Sequence, residues 1–315
     1  MGLVELRAHF IVKPQPLVLL GGNGQLGWAI RQQLGSVPLS VPLRTEGDYL
    51  QPERLVALVE RLRPRVIINA AAYTQVDQAE TEPALAYQIN TQALAALAEV
   101  SRRLGALLVH FSTDYVFDGG GDRPWREEDR PNPLNVYGLS KWQGEQAIQA
   151  SGCHHLILRT SWLHSPYRHN FVKTMLHLGQ ERASLSVVCD QIGAPTSAAM
   201  LARVTLSAIE QTLANPVSCG LYHVTAIGET SWYDYARFIF AEARKGGGEL
   251  KIRELNAVPT HAYPTAARRP LNSRLDTARF RSTFGLDLPH WREGVEETLH
   301  QLLGVTGRYG NQMSQ

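Results

Sequence analysis

Through the first half of the chain, short apolar runs alternate with longer segments of mixed polarity. Leu17-Val-Leu-Leu20, Val66-Ile-Ile68, Leu107-Leu-Val109 and Leu156-Ile-Leu158 are uninterrupted apolar runs of strand length. Runs without polar alternation suit strands covered on both faces, as in parallel sheets. The segments between them, at 28–34, 52–62, about 83–104 and 137–150, read as helices from the spacing of their apolar residues. A weaker strand falls near Leu39-Ser-Val41. This rhythm lasts for about 160 residues and predicts parallel strands joined by right-handed crossovers.

Beyond Trp162 the rhythm changes. Helices are expected at 170–178, 197–213 and 232–243, and strands at 185–188, 220–224 and 250–255. Residues 256–275 read as irregular, and two short helices finish near Leu303. The predicted fold class is α/β: a doubly wound parallel sheet of Rossmann type with a smaller C-terminal α/β substrate domain. The expected division is 16–168 plus about 197–226 for the dinucleotide-binding domain, and about 169–196 plus 227–304 for the substrate domain. Residues 1–15 and 305–315 read as extensions.

Composition narrows the classes. The chain has 315 residues, 44% hydrophobic and 19% charged, which provides for a real core. Net charge is +2 with no long basic tract, so no nucleic acid is expected as a partner. The longest apolar runs are strand-sized, so no membrane partner is expected either. Leu3, Val4, Phe10, Ile11 and Val12 are broken up by Glu5, Arg7 and His9, which is neither a signal-peptide core nor a clear targeting segment. Cys153, Cys189 and Cys219 are few and scattered, which suits a reducing compartment and no metal cage. The expected location is cytoplasmic.

Candidate chemistry gathers at the strand ends. Gly21-Gly-Asn-Gly-Gln-Leu-Gly27 follows the first strand and opens the first helix. Gly21, Gly24 and Gly27 permit a tight turn and close approach of backbone amides to a pyrophosphate, with the helix dipole adding attraction. No acid stands at the end of the second strand to bind ribose hydroxyls. Arg44 lies there instead, to meet a 2′-phosphate or simply to be solvated. Asp48-Tyr49 is expected near the adenine end. Asn69-Ala-Ala-Ala-Tyr-Thr74 leaves room for a flat ligand against backbone, and Asn90 reads as a buried amide with a structural role.

Ser112 and Thr113 end the third apolar run, and Tyr137 and Lys141 share one face of a helix. A phenol beside an ammonium is a tunable acid whose pKa the positive charge lowers. With a hydroxyl converging on them, the set suits reduction of a carbonyl. The alternative is a chance spacing on an ordinary helix. Arg268 and Arg269 suit bidentate phosphate contacts or a solvated pair. Trp162 reads as one wall of a substrate pocket or as a core residue.

Together, the glycine turn, Asn69-Ala-Ala-Ala72, Ser112-Thr-Asp-Tyr-Val-Phe117, Tyr137-Gly-Leu-Ser-Lys141 and Arg159-Thr-Ser-Trp162 resemble the extended short-chain dehydrogenases/reductases. More narrowly, Asp190-Gln-Ile-Gly-Ala-Pro-Thr196 and Ala257-Val-Pro…Tyr263-Pro-Thr…Arg268-Arg-Pro270…Ser273-Arg-Leu275 resemble the dTDP-4-dehydrorhamnose reductase family, over about residues 16–303. The resemblance implies NADPH- or NADH-dependent reduction of dTDP-4-dehydro-L-rhamnose to dTDP-L-rhamnose, a cell-envelope sugar donor. It implies Tyr137 as the acid, Lys141 as its electrostatic partner and ribose ligand, and Thr113 as the hydroxyl on the sugar carbonyl. Gly24-Gln-Leu26, Asp48-Tyr49 and Ala72-Tyr-Thr74 resemble cofactor contacts, and Thr113-Asp114 with Trp162 resemble contacts to the sugar nucleotide.

One departure concerns metal. Some relatives hold magnesium at a dimer interface with glutamates, and the corresponding positions here are Ala29 and Ala183. Hard oxygen ligands are missing there, so no metal is expected and a monomer or homodimer stays open. Two other functions share the scaffold: another sugar-nucleotide epimerase or dehydratase, and a non-catalytic dinucleotide-binding subunit like the regulatory one of methionine adenosyltransferase. Thr113, Tyr137 and Lys141 favour the reductase.

Overall fold

The computed structural model describes residues 17–304, so the expectations for 1–15 and 305–315 fall outside the described residues. Six strands form one sheet: β1 (Leu17–Leu20), β2 (Leu39–Ser40), β3 (Val66–Asn69), β4 (Leu107–Thr113), β5 (His155–Thr160) and β6 (Gly220–His223). Their order is β6-β5-β4-β3-β1-β2, and every pairing is parallel. The chain runs outward from β1 to β2 and then returns to the other side of β1 with β3. That reversal opens a crevice beyond the carboxyl ends of β1 and β3, where such sheets hold ligands.

Side chains alternate across each strand, so a fully apolar strand has two faces to cover. Leu17 and Leu19 pack with Leu26 and Ile30 of α1 (Gln25–Leu34). Val18 and Leu20 pack on the other face with Leu55 and Val59 of α2 (Pro52–Leu62) and Leu94 and Leu97 of α3 (Ala93–Leu104). Ile148 of α4 (Val136–Ser151) joins this second layer. Among the described residues no helix is long and apolar enough to cross a membrane.

The rest of the chain mixes the two regions. It forms α5 (Phe171–Glu181), α6 (Ala198–Ala214), α7 (Trp232–Lys245), α8 (Ala278–Phe284) and α9 (Trp291–Leu303). α6 returns to pack beside α1, and β6 then adds to the sheet edge. Away from the sheet, Ser184–Val188 pairs in parallel with Glu254–Val258, packed against α7, which in turn packs on α5.

Two elements differ from expectation. The long helix at 83–104 is a helix at Pro83–Tyr87, a π-turn at Gln88–Gln92 and then α3. The Asn90 side chain accepts from the Tyr73 amide (2.9 Å) and donates to the Tyr73 carbonyl (3.0 Å) and the Ser140 hydroxyl (3.0 Å). The π-helix is rare and occurs mostly as single turns inside α-helices, frequently at functional sites. The last strand is Glu254–Val258, not 250–255. The cause is local: the amides of Lys251 and Ile252 bond to the Gly179 carbonyl, so ladder pairing starts only at Glu254 opposite Ser184.

Candidate active site

The crevice is a cavity of about 1210 Å³ that runs from the glycine turn to the carboxyl ends of β4 and β5. At one end, Gly21 sits at φ +78°, and a Cβ there would lie 2.5 Å from the Ala71 nitrogen. A Cβ on Gly27 would lie 2.2 Å from the Gly21 carbonyl oxygen. The first permits the turn and the second seats α1 against it, so Gly27 supports the cavity without lining it. Gly24 caps α1 with no side-chain hydrogen bond, and the first turn carries no acid. The first amides of a helix lack partners within it, so this end, lined by Gly21, Gly24, Gln25 and Leu26, suits a pyrophosphate.

Arg44 and Asp48 line the same end, joined by Arg31, which sequence reasoning missed because it reads as an ordinary helix-surface arginine. Glu46, close by in sequence, accepts from the Leu43 amide at 2.9 Å and braces the turn. Ala72, Tyr73 and Thr74 also line the cavity, as does Tyr49. The Tyr49 hydroxyl donates to Asn69 Oδ1 (2.7 Å), and burial pushes its pKa up. A cleft with a free helix N-terminus, two arginines and alanine-lined backbone fits a dinucleotide phosphate. Over it, Arg168 Nε donates to the Asn23 carbonyl (2.9 Å), and Gln25 Oε1 accepts from Ser165 and Asn170 (2.9 Å each).

At the centre, Thr113 ends β4 and Tyr137 and Lys141 come from the first turns of α4. Asn135 fixes that helix start: its Oδ1 accepts from the Gly138 amide at 2.7 Å. The Thr113 hydroxyl donates to Asp114 Oδ1 (3.1 Å) and accepts from the Tyr115 amide (3.2 Å). Among the described residues the Ser112 hydroxyl is buried with no partner, and Asp114 is buried beside the side chains of Ser273 and Thr113, whose hydrogen bonds favour its charged form. Burial raises the Asp114 pKa from 3.8 to about 6. Lys141 is 1% exposed, donates to the Phe111 carbonyl (2.6 Å) and touches His110 Nε2 (3.0 Å).

The electrostatics differ from expectation. Burial raises the Tyr137 phenol to about 12; the Thr113 hydroxyl pulls it down, and the charge of Asp114 pushes it further up. Lys141 is itself lowered to about 7, because desolvation outweighs the attraction of Glu145. Lys141, turned towards a carbonyl and a histidine, does not depress the tyrosine. His110 and its partner Asn69 are further functional candidates that sequence reasoning missed. The available signal was a histidine inside an otherwise apolar strand.

At the far end, Trp162 is half-buried and lines the cavity. Its ring stacks on Trp232 with centroids 3.7 Å apart, and a Cβ on Gly193 would lie 2.6 Å from it. Of the expected substrate contacts, Thr113, Asp114 and Trp162 reach the cavity, whereas Arg268 and Arg269 are not among its lining residues. Arg269 does make a bidentate contact, but to the carboxylate of Asp77 (3.1 and 2.7 Å). Arg268 is exposed, and its carbonyl accepts from Asn135 Nδ2 at 2.8 Å. Among the described residues no group of three or more His, Cys, Asp or Glu is disposed to hold a metal ion.

A Rossmann-type sheet, a glycine turn and a Thr–Tyr–Lys group at the carboxyl edge define an extended short-chain dehydrogenase/reductase. Over residues 15–303 the chain matches the family model described as RmlD substrate binding domain. The dTDP-4-dehydrorhamnose reductase of Escherichia coli K12 is 47% identical to it over 92% of this chain and 99% of that protein. The enzyme of the same name from Salmonella typhimurium LT2 is 48% identical over the same shares. The crystal structure of dTDP-4-dehydrorhamnose reductase from Bacillus anthracis in complex with NADP has a TM-score of 0.83 and 37% identity, covering 91% of this chain and 99% of that one. The chain belongs to the dTDP-4-dehydrorhamnose reductase family.

Proposed function

We propose that the protein is an NADPH- or NADH-dependent oxidoreductase that reduces the C4 keto group of dTDP-4-dehydro-L-rhamnose to give dTDP-L-rhamnose. The observation that carries this reading is the meeting of Thr113, Tyr137 and Lys141 beside one cavity that also contains the open N-terminus of α1. The division of labour follows the cavity. Residues 16–168 with about 197–226 form the dinucleotide domain, and about 169–196 with 227–304 form the sugar-nucleotide domain.

Gly21, Gly24, Gln25 and Leu26 hold the pyrophosphate through backbone amides. Asp48, Tyr49, Ala72, Tyr73 and Thr74 flank the rest of the dinucleotide, and Arg31 and Arg44 offer charge for a 2′-phosphate. When bound, the reduced nicotinamide supplies the hydride. The Thr113 hydroxyl orients the sugar carbonyl, and Tyr137 gives its proton to the oxygen that carries the developing negative charge. A phenol whose pKa stands above the ordinary value is fully loaded with its proton at neutral pH. Lys141 binds the ribose and, once charged, stabilises the phenolate that remains. Trp162, stacked on Trp232, closes the sugar site, and Asp114 and Tyr115 line its floor.

The test is direct. Purified protein with dTDP-4-dehydrorhamnose and NADPH or NADH should consume one reduced nicotinamide per dTDP-L-rhamnose formed, identified by NMR. Cofactor consumption without that product would reject the substrate. Tight dinucleotide binding with no consumption at all would favour a non-catalytic binding subunit.

A further inference from the structure

A buried hydrogen-bond chain runs from Tyr49 through Asn69 and His110 to Lys141 behind the reactive centre, and the mechanism above gives Asn69 and His110 no role. Its donors can be assigned from one end. The Ala71 amide faces an Asn69 side-chain atom at 3.1 Å, and a peptide N–H only donates, so that atom is the oxygen. Tyr49 donates to the same oxygen at 2.7 Å. The other terminus, Nδ2, is therefore the amide nitrogen, and it donates to His110 Nδ1 at 3.1 Å. A ring nitrogen that accepts carries no proton, so neutral His110 has its proton on Nε2. That N–H points at Lys141 Nζ, 3.0 Å away.

An N–H facing Lys141 needs a lone pair, which an amine has and an ammonium lacks. The second bond of Nζ, to the Phe111 carbonyl, uses an N–H that the amine also has. We propose that His110, oriented by Asn69, is a positioning residue that holds Lys141 as a neutral amine in the ligand-free protein. The surroundings agree. His110 and Lys141 are each 1% exposed. Both hydrogen-bond partners of Nζ are uncharged. Glu145, one turn along α4, is bound by Arg159 through two bonds (2.9 and 2.6 Å), and Tyr137, one turn back, is a neutral phenol. Burial lowers the Lys141 pKa to about 7 and drives that of His110 well below 6.5.

The consequence, which rests on the proposed reductase function, is that the charge needed beside Tyr137 arrives only when Lys141 takes one proton from solvent. For that, His110 must stop donating from Nε2, by changing tautomer or turning, and lose its bond from Asn69.

Two measurements on ligand-free protein test the proposal without substrate or turnover, so they are independent of the reductase assay. Ring-15N histidine NMR, with His110 assigned by His110→Gln, should show protonated Nε2 and bare Nδ1 at mildly alkaline pH. A protonated Nδ1 would overturn the assignment. The lysines are Lys13, Lys141, Lys173, Lys245 and Lys251, so 13Cε labelling gives a countable spectrum. Lys141 should titrate far below the others. His110→Gln, whose amide N–H replaces the Nε2 donor, should keep that low titration, whereas His110→Phe should raise the proton affinity of Lys141 about tenfold. An unchanged Lys141 titration in His110→Phe would mean that burial alone sets it and would overturn the role of His110. Should that variant fail to fold, the wild-type tautomer decides.

Discussion

Burial raises the Tyr137 phenol above its ordinary value despite the opposing hydrogen bond of the Thr113 hydroxyl, so its proton is held more tightly. Tyr137→Phe removes only the hydroxyl, so folding and dinucleotide affinity should survive while turnover falls ~10²–10⁴-fold. Single-turnover hydride transfer at the wild-type rate would reject Tyr137 as the acid. Asp114 gives a second test. Its folded pKa, about 6, is raised above 3.8, so the folded state binds the proton more tightly than the unfolded one. The stability that this group contributes is therefore full below the unfolded pKa and is lost as pH rises through about 6. Asp114→Asn keeps the shape without the charge. Relative to wild type it should gain up to ~3 kcal/mol in urea melts at about pH 8 and little at about pH 4. An equal difference at both pH values would show that the carboxylate is not strained by burial.

At the scale of elements, the sheet was legible because strands covered on both faces must be apolar throughout. The glycine turn was legible because small residues between a strand and a helix permit a tight turn that larger ones would block. The break in the long helix was not, since the partners of Asn90 lie on Tyr73 and Ser140, far along the chain. The orientation of Lys141 was equally hidden: helical spacing puts it on the face of Tyr137, but Phe111 and His110 decide where its amine points. Trp162 lay between two readings, and its environment separates them. It stacks on Trp232, yet one side faces the cavity. A core tryptophan lost to alanine costs ~3–5 kcal/mol. Trp162→Ala should cost only about 1–2 kcal/mol, the scale of a lost aromatic pair with partial burial, and raise the KM for the sugar nucleotide while cofactor affinity stays near wild type. A large fall in Tm with unchanged KM would return the ring to the core.

At the scale of the whole molecule, the segment at 267–269 is fastened across to the first half of the chain on both sides of the α4 start. Asp77 accepts from the Ala267 amide (3.0 Å) and from both terminal nitrogens of Arg269, while Asn135 Nδ2 donates to the Arg268 carbonyl (2.8 Å). The guanidinium beside Asp77 holds its carboxyl below the usual range. Sequence alone read the arginine as suited to a bidentate phosphate or as solvated, and it had no means of finding a carboxylate of the same chain as the partner. The two roles predict different double-mutant cycles. As an intramolecular clamp, Arg269→Ala and Asp77→Ala should both lower stability, Asp77→Ala more because the Ala267 amide also loses its acceptor, and couple by roughly 0.2–1 kcal/mol, because both side chains are partly solvated and screened by salt. Either variant should then raise the KM for the sugar nucleotide by a similar small factor, and the double variant no further. A phosphate anchor behaves otherwise: a tenfold or larger rise in KM for Arg269→Ala, with Asp77→Ala near wild type, would show that the arginine leaves Asp77 for the substrate.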